Sequence, residues 1–270
     1  MNRFGFETFT SIVLSFVLAI AVATGAFAGT EQEQSKAEPI KPAEKPYLRT
    51  KPSDGVFDVV VLGDSLADGL YAGLKRLNGE NDKLKITKAS KVNTGLVRSD
   101  RFDWNKRARK IARSKRHQIA VVLLGLNDLQ TFRTKGKRHH FQQKGWEKLY
   151  QERIDKMVTD LKKANMAVYW VGIPITSPRR YQKEYAYLNK FFRAAAERHA
   201  VRYVDTWTPL ASPKGTYSPF WRDKNGKRQH IRHNDGVHFT PNGYMVFASF
   251  LNSVLQADIE AVLEEQAQAN

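Results

Sequence analysis

The chain has 270 residues, with 44 lysines and arginines against 27 aspartates and glutamates, so its formal net charge is +17. It contains no cysteine, which excludes disulfide bonds, thiol catalysis and cysteine-ligated zinc. Its length is sufficient for one sizeable domain with a hydrophobic core of its own.

Residues 1–28 have the pattern of a secretory signal peptide. Arg3 supplies a positive start, residues 12–23 form an apolar stretch, and Ala26-Phe27-Ala28 resembles a cleavage site. The apolar stretch is short compared with the ~20 residues that span a bilayer. We therefore expect cleavage after Ala28, a periplasmic or secreted protein, and no stable membrane insertion after cleavage. An uncleaved anchor is the alternative.

Residues 29–55 are rich in Glu, Lys, Pro and Gln, which predicts a disordered linker before a folded domain at residues 56–265. For an exported protein, the positive charge favours anionic envelope polymers or membrane surfaces over nucleic acid as partners. A solvated basic surface without a specific ligand is the alternative.

Short apolar segments alternate with amphipathic helical patterns through the folded part. The expected strands are residues 57–63, 84–90, 119–125, 167–172 and 201–205, and the expected helices are residues 65–78, 104–116, 146–165, 181–199 and 241–265. Residues 131–144 read as a surface loop, and residues 206–234 read as a long irregular loop of functional character. The alternation predicts an α/β fold, a three-layer α/β/α sandwich with a five-stranded, mainly parallel, flavodoxin-like sheet.

Ser65 stands where the first expected strand gives way to the first expected helix. The apolar run of residues 59–62 ends at Gly63-Asp64-Ser65, and helical spacing of leucines follows. At such a position the helix amides and dipole favour developing negative charge, which suits a nucleophile. The alternative is that Ser65 only caps the helix.

Three later stretches supply the other groups that acyl transfer needs, and each lies at an expected strand end or before the last helix. His238 is the candidate base for Ser65, and Asp235 can orient its ring. The backbone amides of Ser65 and Gly95 and the side-chain amide of Asn127 can donate to an oxyanion.

These stretches, Gly63-Asp64-Ser65-Leu66, Gly95, Gly125-x-Asn127-Asp128 and Asp235-x-x-His238, stand in the order of the four blocks of the SGNH, or GDSL-type, hydrolases. The resemblance spans residues 57–255, and the residues around Ser65, Gly95 and Trp104 also resemble a secreted bacterial branch of that family. It implies a serine esterase that needs no metal or other cofactor. Its implied substrates are small acyl esters, among them O-acetyl groups of an envelope or exported polysaccharide, such as an anionic glycan.

The resemblance also implies the roles of individual residues. Ser65 is the expected nucleophile, His238 the base and Asp235 its partner, with Ser65, Gly95 and Asn127 forming the oxyanion hole. Gly95 alternatively serves as a plain turn glycine. Asp64 and Asp128 are expected to brace their loops.

Other interpretations remain open at this point. Trp207, Tyr217 and Trp221 in the long loop either stack on sugar rings or pack onto the domain. His230 and His233 beside Asp235 and His238 raise the possibility of a metal site, but Asp235 and His238 already have roles. An acyltransferase would use the same serine, and a non-catalytic module would bind an envelope polymer on the same scaffold.

Overall fold

A computed structural model of the chain describes residues 47–48, 52 and 54–268. Its strands are, in chain order, β1 (Phe57–Gly63), β2 (Leu84–Ser90), β3 (Ile119–Leu123), β4 (Phe132–Thr134), β5 (Lys137–His139), β6 (Ala167–Val171), β7 (Arg202–Val204), β8 (Phe220–Arg222) and β9 (Arg228–His230). Its helices are α1 (Ser65–Leu77), α2 (Trp104–Ser114), α3 (Lys144–Lys162), α4 (Gln182–His199), α5 (Trp207–Leu210) and α6 (Pro241–Gln268).

The central sheet has the order β2-β1-β3-β6-β7, and every neighbouring pair is parallel. Strand β3 is buried along its whole length, as β-branched and apolar side chains fill both faces of the sheet. Edge strand β2 buries its apolar side chains Leu84, Ile86 and Ala89 and leaves its polar side chains partly or fully exposed. The predicted flavodoxin-like sheet is confirmed, and its strands are all parallel.

Helices cover both faces of the sheet. Helix α1 packs against α6 in one layer, and α2, α3 and α4 pack side by side in the other. Within the described residues, α6 alone is long and apolar enough to cross a membrane by length and composition. Its apolar side chains Phe247, Leu251 and Leu255 are buried, which is the arrangement of a core helix in a globular domain. The predicted three-layer sandwich is therefore confirmed.

The contact between α1 and α6 is unusually close at Gly69. A Cβ atom at Gly69 would lie 1.9 Å from the ring of Tyr244 in α6, so only glycine fits there. Since Ser65 begins α1 and His238 shortly precedes α6, this close packing holds the two segments that carry them against each other.

Two small antiparallel hairpins lie in segments that were expected to be loops. Strands β4 and β5 pair within residues 131–144, and β8 and β9 pair within residues 206–234. Each strand has three residues, which is too short for an alternating pattern to be recognised in the sequence.

The predicted signal peptide, residues 1–28, lies outside the described residues, as does most of the predicted linker, residues 29–55. Within that linker, however, Tyr47 and Leu48 pack onto the domain. Leu48 is buried, and the Tyr47 hydroxyl donates to the Val168 carbonyl at 2.6 Å. The same hydroxyl accepts from the backbone N–H groups of Val168 (3.0 Å) and Arg202 (3.2 Å). The domain thus includes residues upstream of its expected start.

Tyr47→Phe is expected to lower the free energy of unfolding by about 1–2 kcal/mol, because two backbone N–H groups lose their acceptor. Urea unfolding of the variant beside wild type measures this loss. Tyr181→Phe is the matched control, since Tyr181 is 60% exposed. Equal losses for the two variants would contradict a structural role for the Tyr47 hydroxyl.

Candidate active site

Ser65 lies at the first turn of α1, directly after β1. Asp64 caps the helix, its Oδ1 accepting from the Leu66 backbone N–H at 3.0 Å. The half-buried Ser65 places its Oγ 2.8 Å from Nε2 of His238. The expected pairing of these two side chains is therefore present in the structure.

Asp235 holds the other ring nitrogen of His238. Its Oδ2 lies 2.6 Å from His238 Nδ1, and its Oδ1 accepts the backbone N–H groups of Val237 and His238, each at 2.9 Å. A carboxylate can only accept, so Nδ1 carries the proton and Nε2 is left to accept from the Ser65 hydroxyl. Burial opposes ionisation of Asp235, yet the hydrogen bonds from His238 and Val237 lower its pKa to about 2.

The loops that carry Gly95 and Asn127 meet beside Ser65. The Asn127 side-chain Nδ2 donates one hydrogen bond to the Thr94 carbonyl at 2.9 Å. An amide nitrogen has two hydrogens, so this bond leaves the second N–H for a ligand. The two loops that carry the expected oxyanion donors are thus joined to each other.

Asp64 joins the Ser65 turn to the Asn127 loop. Its Oδ2 accepts from the Leu126 backbone N–H at 3.1 Å, in addition to the Leu66 bond of Oδ1. Burial raises the pKa of Asp64 to about 7, although both backbone bonds act in the opposite direction. The expected bracing role of Asp64 therefore extends across two loops.

Asp128 holds the loop that carries Gly95 in place. Its Oδ1 accepts from the Val97 backbone N–H at 2.8 Å, and its Oδ2 accepts from the Tyr150 hydroxyl at 3.0 Å. A Cβ at Gly95 would lie 2.2 Å from Asp128 Oδ1, so glycine is required there by close packing. Tyr150 was not anticipated, since a tyrosine within an amphipathic helix gives no separate signal in the sequence.

A cavity of about 630 Å³ lies beside Asp235. Of the three aromatic residues proposed to bind substrate, Tyr217 lines it. Trp207 and Trp221 are not among its lining residues and pack against the core, with Trp221 edge-on to Phe250.

Arg179 and Arg180 also line this cavity, and no motif in the sequence marks them. They follow β6 in the chain, and residues after the carboxyl end of a parallel strand are candidates for a site. This position is the feature of the sequence that could have pointed to them.

The histidines near Asp235 do not converge on a common point. His233 Nδ1 lies 3.9 Å from Asp235 Oδ1, whereas the His230 ring packs against Phe220. Across residues 47–48, 52 and 54–268, there is no group of three His, Asp or Glu side chains placed to hold a metal ion.

The sequence matches the family described as "Protein of unknown function (DUF459)" over residues 58–254. No curated protein matches the chain.

Several solved structures share the fold at low sequence identity. A GDSL-like lipase from Bacteroides thetaiotaomicron is 16% identical, with 77% of this chain and 92% of that chain covered and a TM-score of 0.52. A putative acylhydrolase from Bacteroides fragilis is 16% identical, with 80% and 91% covered and a TM-score of 0.52. The esterase EstA from Pseudoalteromonas sp. is 16% identical, with 74% and 97% covered and a TM-score of 0.50. The resemblance to the fold of GDSL-type hydrolases is thereby confirmed.

Proposed function

This chain belongs to the DUF459 family, and we propose that it is a serine esterase that hydrolyses small acyl esters. The observation that carries the proposal is the continuous hydrogen-bonded series from Ser65 Oγ through His238 to Asp235, at 2.8 and 2.6 Å. In a Ser-His-Asp arrangement the serine attacks the substrate, the histidine takes its proton and the aspartate orients the histidine.

The reaction proceeds in two stages. Ser65 Oγ attacks the carbonyl carbon of the ester while His238 Nε2 takes its proton, and a tetrahedral intermediate forms. His238 then gives the proton to the departing alcohol oxygen, which leaves an acyl group on Ser65. Water, deprotonated by His238, releases the acid and restores the serine. Asp235 keeps the ring in the required tautomer and stabilises its protonated form.

The negative charge of the intermediate is stabilised by three donors, the backbone N–H groups of Ser65 and Gly95 and the free N–H of Asn127 Nδ2. The first donor lies at the amino end of α1, where the helix dipole favours negative charge. Asp64 and Asp128 act through the loops and hold these donors in place before substrate arrives, so little reorganisation is needed.

The proposed substrates are O-acetyl groups of an envelope or exported polysaccharide, and the proposed location is periplasmic or secreted. The signal-like residues 1–28 and the net charge of +17 support this assignment. Ester hydrolysis itself is supported by the site geometry and by the fold shared with proteins described as a lipase, an acylhydrolase and an esterase.

The test is hydrolysis of p-nitrophenyl acetate by the mature protein, together with labelling by a fluorophosphonate that reacts with activated serines. We expect turnover and one label per chain, located on Ser65 by mass spectrometry. Absence of turnover on acetyl esters combined with an unlabelled Ser65 would contradict the proposed function.

Asn127→Ala is expected to lower kcat about 100- to 1,000-fold, because one oxyanion donor is lost. Binding of the neutral ground state changes less, so the loss should appear in kcat rather than in KM. Asn242→Ala, at an exposed position at the start of α6, serves as the control. A change in KM alone would place Asn127 outside the oxyanion hole.

A further inference from the structure

The cavity beside Asp235 lies beyond His238 as seen from Ser65, because Ser65 contacts Nε2 of the His238 ring and Asp235 contacts Nδ1. In the proposed esterase mechanism, on which this inference rests, His238 gives its proton to the departing alcohol oxygen. The alcohol part of the substrate therefore lies near His238, and a group that extends past the His238 ring reaches the cavity. Asp235 and Gly236, which belong to the same turn as His238, line the cavity. Its volume of about 630 Å³ is sufficient for a sugar-sized group.

Arginines outnumber acidic residues around the cavity, by two to one. Arg179 and Arg180 are exposed at its wall, and Asp235 is the one acidic residue among its lining residues. Both oxygens of Asp235 are already engaged by His238 and by backbone N–H groups. The positive charge of the two arginines is thus only partly compensated.

The segment that carries the arginines is fixed to the catalytic turn. The Ser177 backbone N–H donates to the Gly236 carbonyl at 2.9 Å, and Arg180 Nε donates to the Asp235 carbonyl at 3.1 Å. Within the part of the chain that the structure describes, the terminal nitrogens of Arg180 have no hydrogen-bond partner. These nitrogens are available to a ligand, and the two bonds to the catalytic turn hold Arg180 in place beside Asp235.

A buried cation lies close to the cavity. Arg232 is fully buried and donates to the carbonyls of Val237 (2.8 Å) and Ile175 (2.5 Å). Its guanidinium lies 5.6 Å from the ring of Tyr217, a lining residue, and among the described residues no carboxylate pairs with it. Because a buried charge is poorly screened by water, Arg232 adds to the positive potential there.

We propose that the alcohol part of the substrate carries a negative charge, a carboxylate or a phosphate, and that Arg179 and Arg180 bind this charge in the cavity. Arginine suits either group, since its planar fork can donate two parallel hydrogen bonds to an oxyanion. The two arginines are therefore specificity-determining residues, and a neutral acetylated alcohol is a poorer substrate than its anionic counterpart.

Calorimetric binding to the Ser65→Ala protein tests the proposal without consuming the ester. The ligands are an O-acetylated methyl glucuronoside and its C6 methyl ester, which differ in the charge of one group. An O-acetylated methyl glucoside 6-phosphate forms a second arm and identifies which anion binds more tightly. We expect at least one anion to bind about tenfold more tightly than the neutral ester, the effect of a hydrogen bond to a charged group.

Arg179→Gln, made in the Ser65→Ala background, is expected to reduce this charge preference about tenfold. Arg113→Gln removes an exposed arginine of α2 outside the cavity and is expected to leave the preference unchanged. Equal affinities for the charged and neutral ligands, or equal effects of the two substitutions, would overturn the proposal.

Hydrolysis of p-nitrophenyl acetate by wild type separates this inference from the proposed function. Turnover without any charge preference in binding overturns the inference and leaves the esterase assignment standing. Charge-selective binding combined with no turnover and no fluorophosphonate label on Ser65 overturns the esterase assignment and, with it, the placement of the anion on a leaving alcohol.

Discussion

Ser65→Ala is expected to lower kcat for p-nitrophenyl acetate by about 10⁴-fold or more, the loss that follows removal of the nucleophile of a catalytic triad. The Oγ atom forms the covalent bond to the acyl group, and no other hydroxyl is held against His238 Nε2 among the described residues. Fluorophosphonate labelling should disappear together with turnover. Steady-state rates and intact mass spectrometry measure the two effects.

The matched control for Ser65→Ala is Ser253→Ala, since Ser253 is exposed on α6. Both variants should keep the far-ultraviolet circular dichroism and the urea midpoint of wild type. Full activity in Ser65→Ala would contradict the mechanism, and equal losses in both variants would point to damage of the fold.

His238→Ala is expected to cause a loss of similar size, about 10⁴-fold or more, because the hydroxyl then has no base to take its proton. The double variant Ser65→Ala with His238→Ala should lose no more than the greater of the two single losses, because the residues act as one unit. Rates of all four proteins with p-nitrophenyl acetate give this comparison.

His140→Ala provides the control for the histidine substitution, since His140 is exposed and its ring Nδ1 lies 3.2 Å from the Thr131 hydroxyl. It should retain the wild-type rate. If the two single losses multiply in the double variant, Ser65 and His238 act independently. That outcome would contradict the mechanism, because the 2.8 Å contact places them in one step.

The sheet could be predicted because it depends on local sequence, whereas the grouping of Ser65, Asp235 and His238 was expected from the order of their family-like sequence blocks. Strands buried on both faces need continuous apolar runs, so β1 and β3 are visible in the sequence without knowledge of their neighbours. Parallel strands end at one edge, so Ser65 and Asn127, which follow β1 and β3, had to come together there.

Features that depend on distant contacts were not predictable in this way. Arg179 and Arg180 are two of 44 basic residues, and only the folded chain shows that they meet Asp235 at one cavity. Tyr47 lies in a polar segment, and its partners Val168 and Arg202 are more than 100 residues away. The roles of such residues arise from tertiary structure rather than from a sequence pattern.

Ser65 and His238, the proposed nucleophile and base, are 173 residues apart, and His238 follows the last strand of the central sheet. During synthesis, all five strands of that sheet are therefore made before the base exists. If the proposed mechanism holds, competence for acyl transfer requires the segment from Asp235 through α6 to be made and to dock on α1.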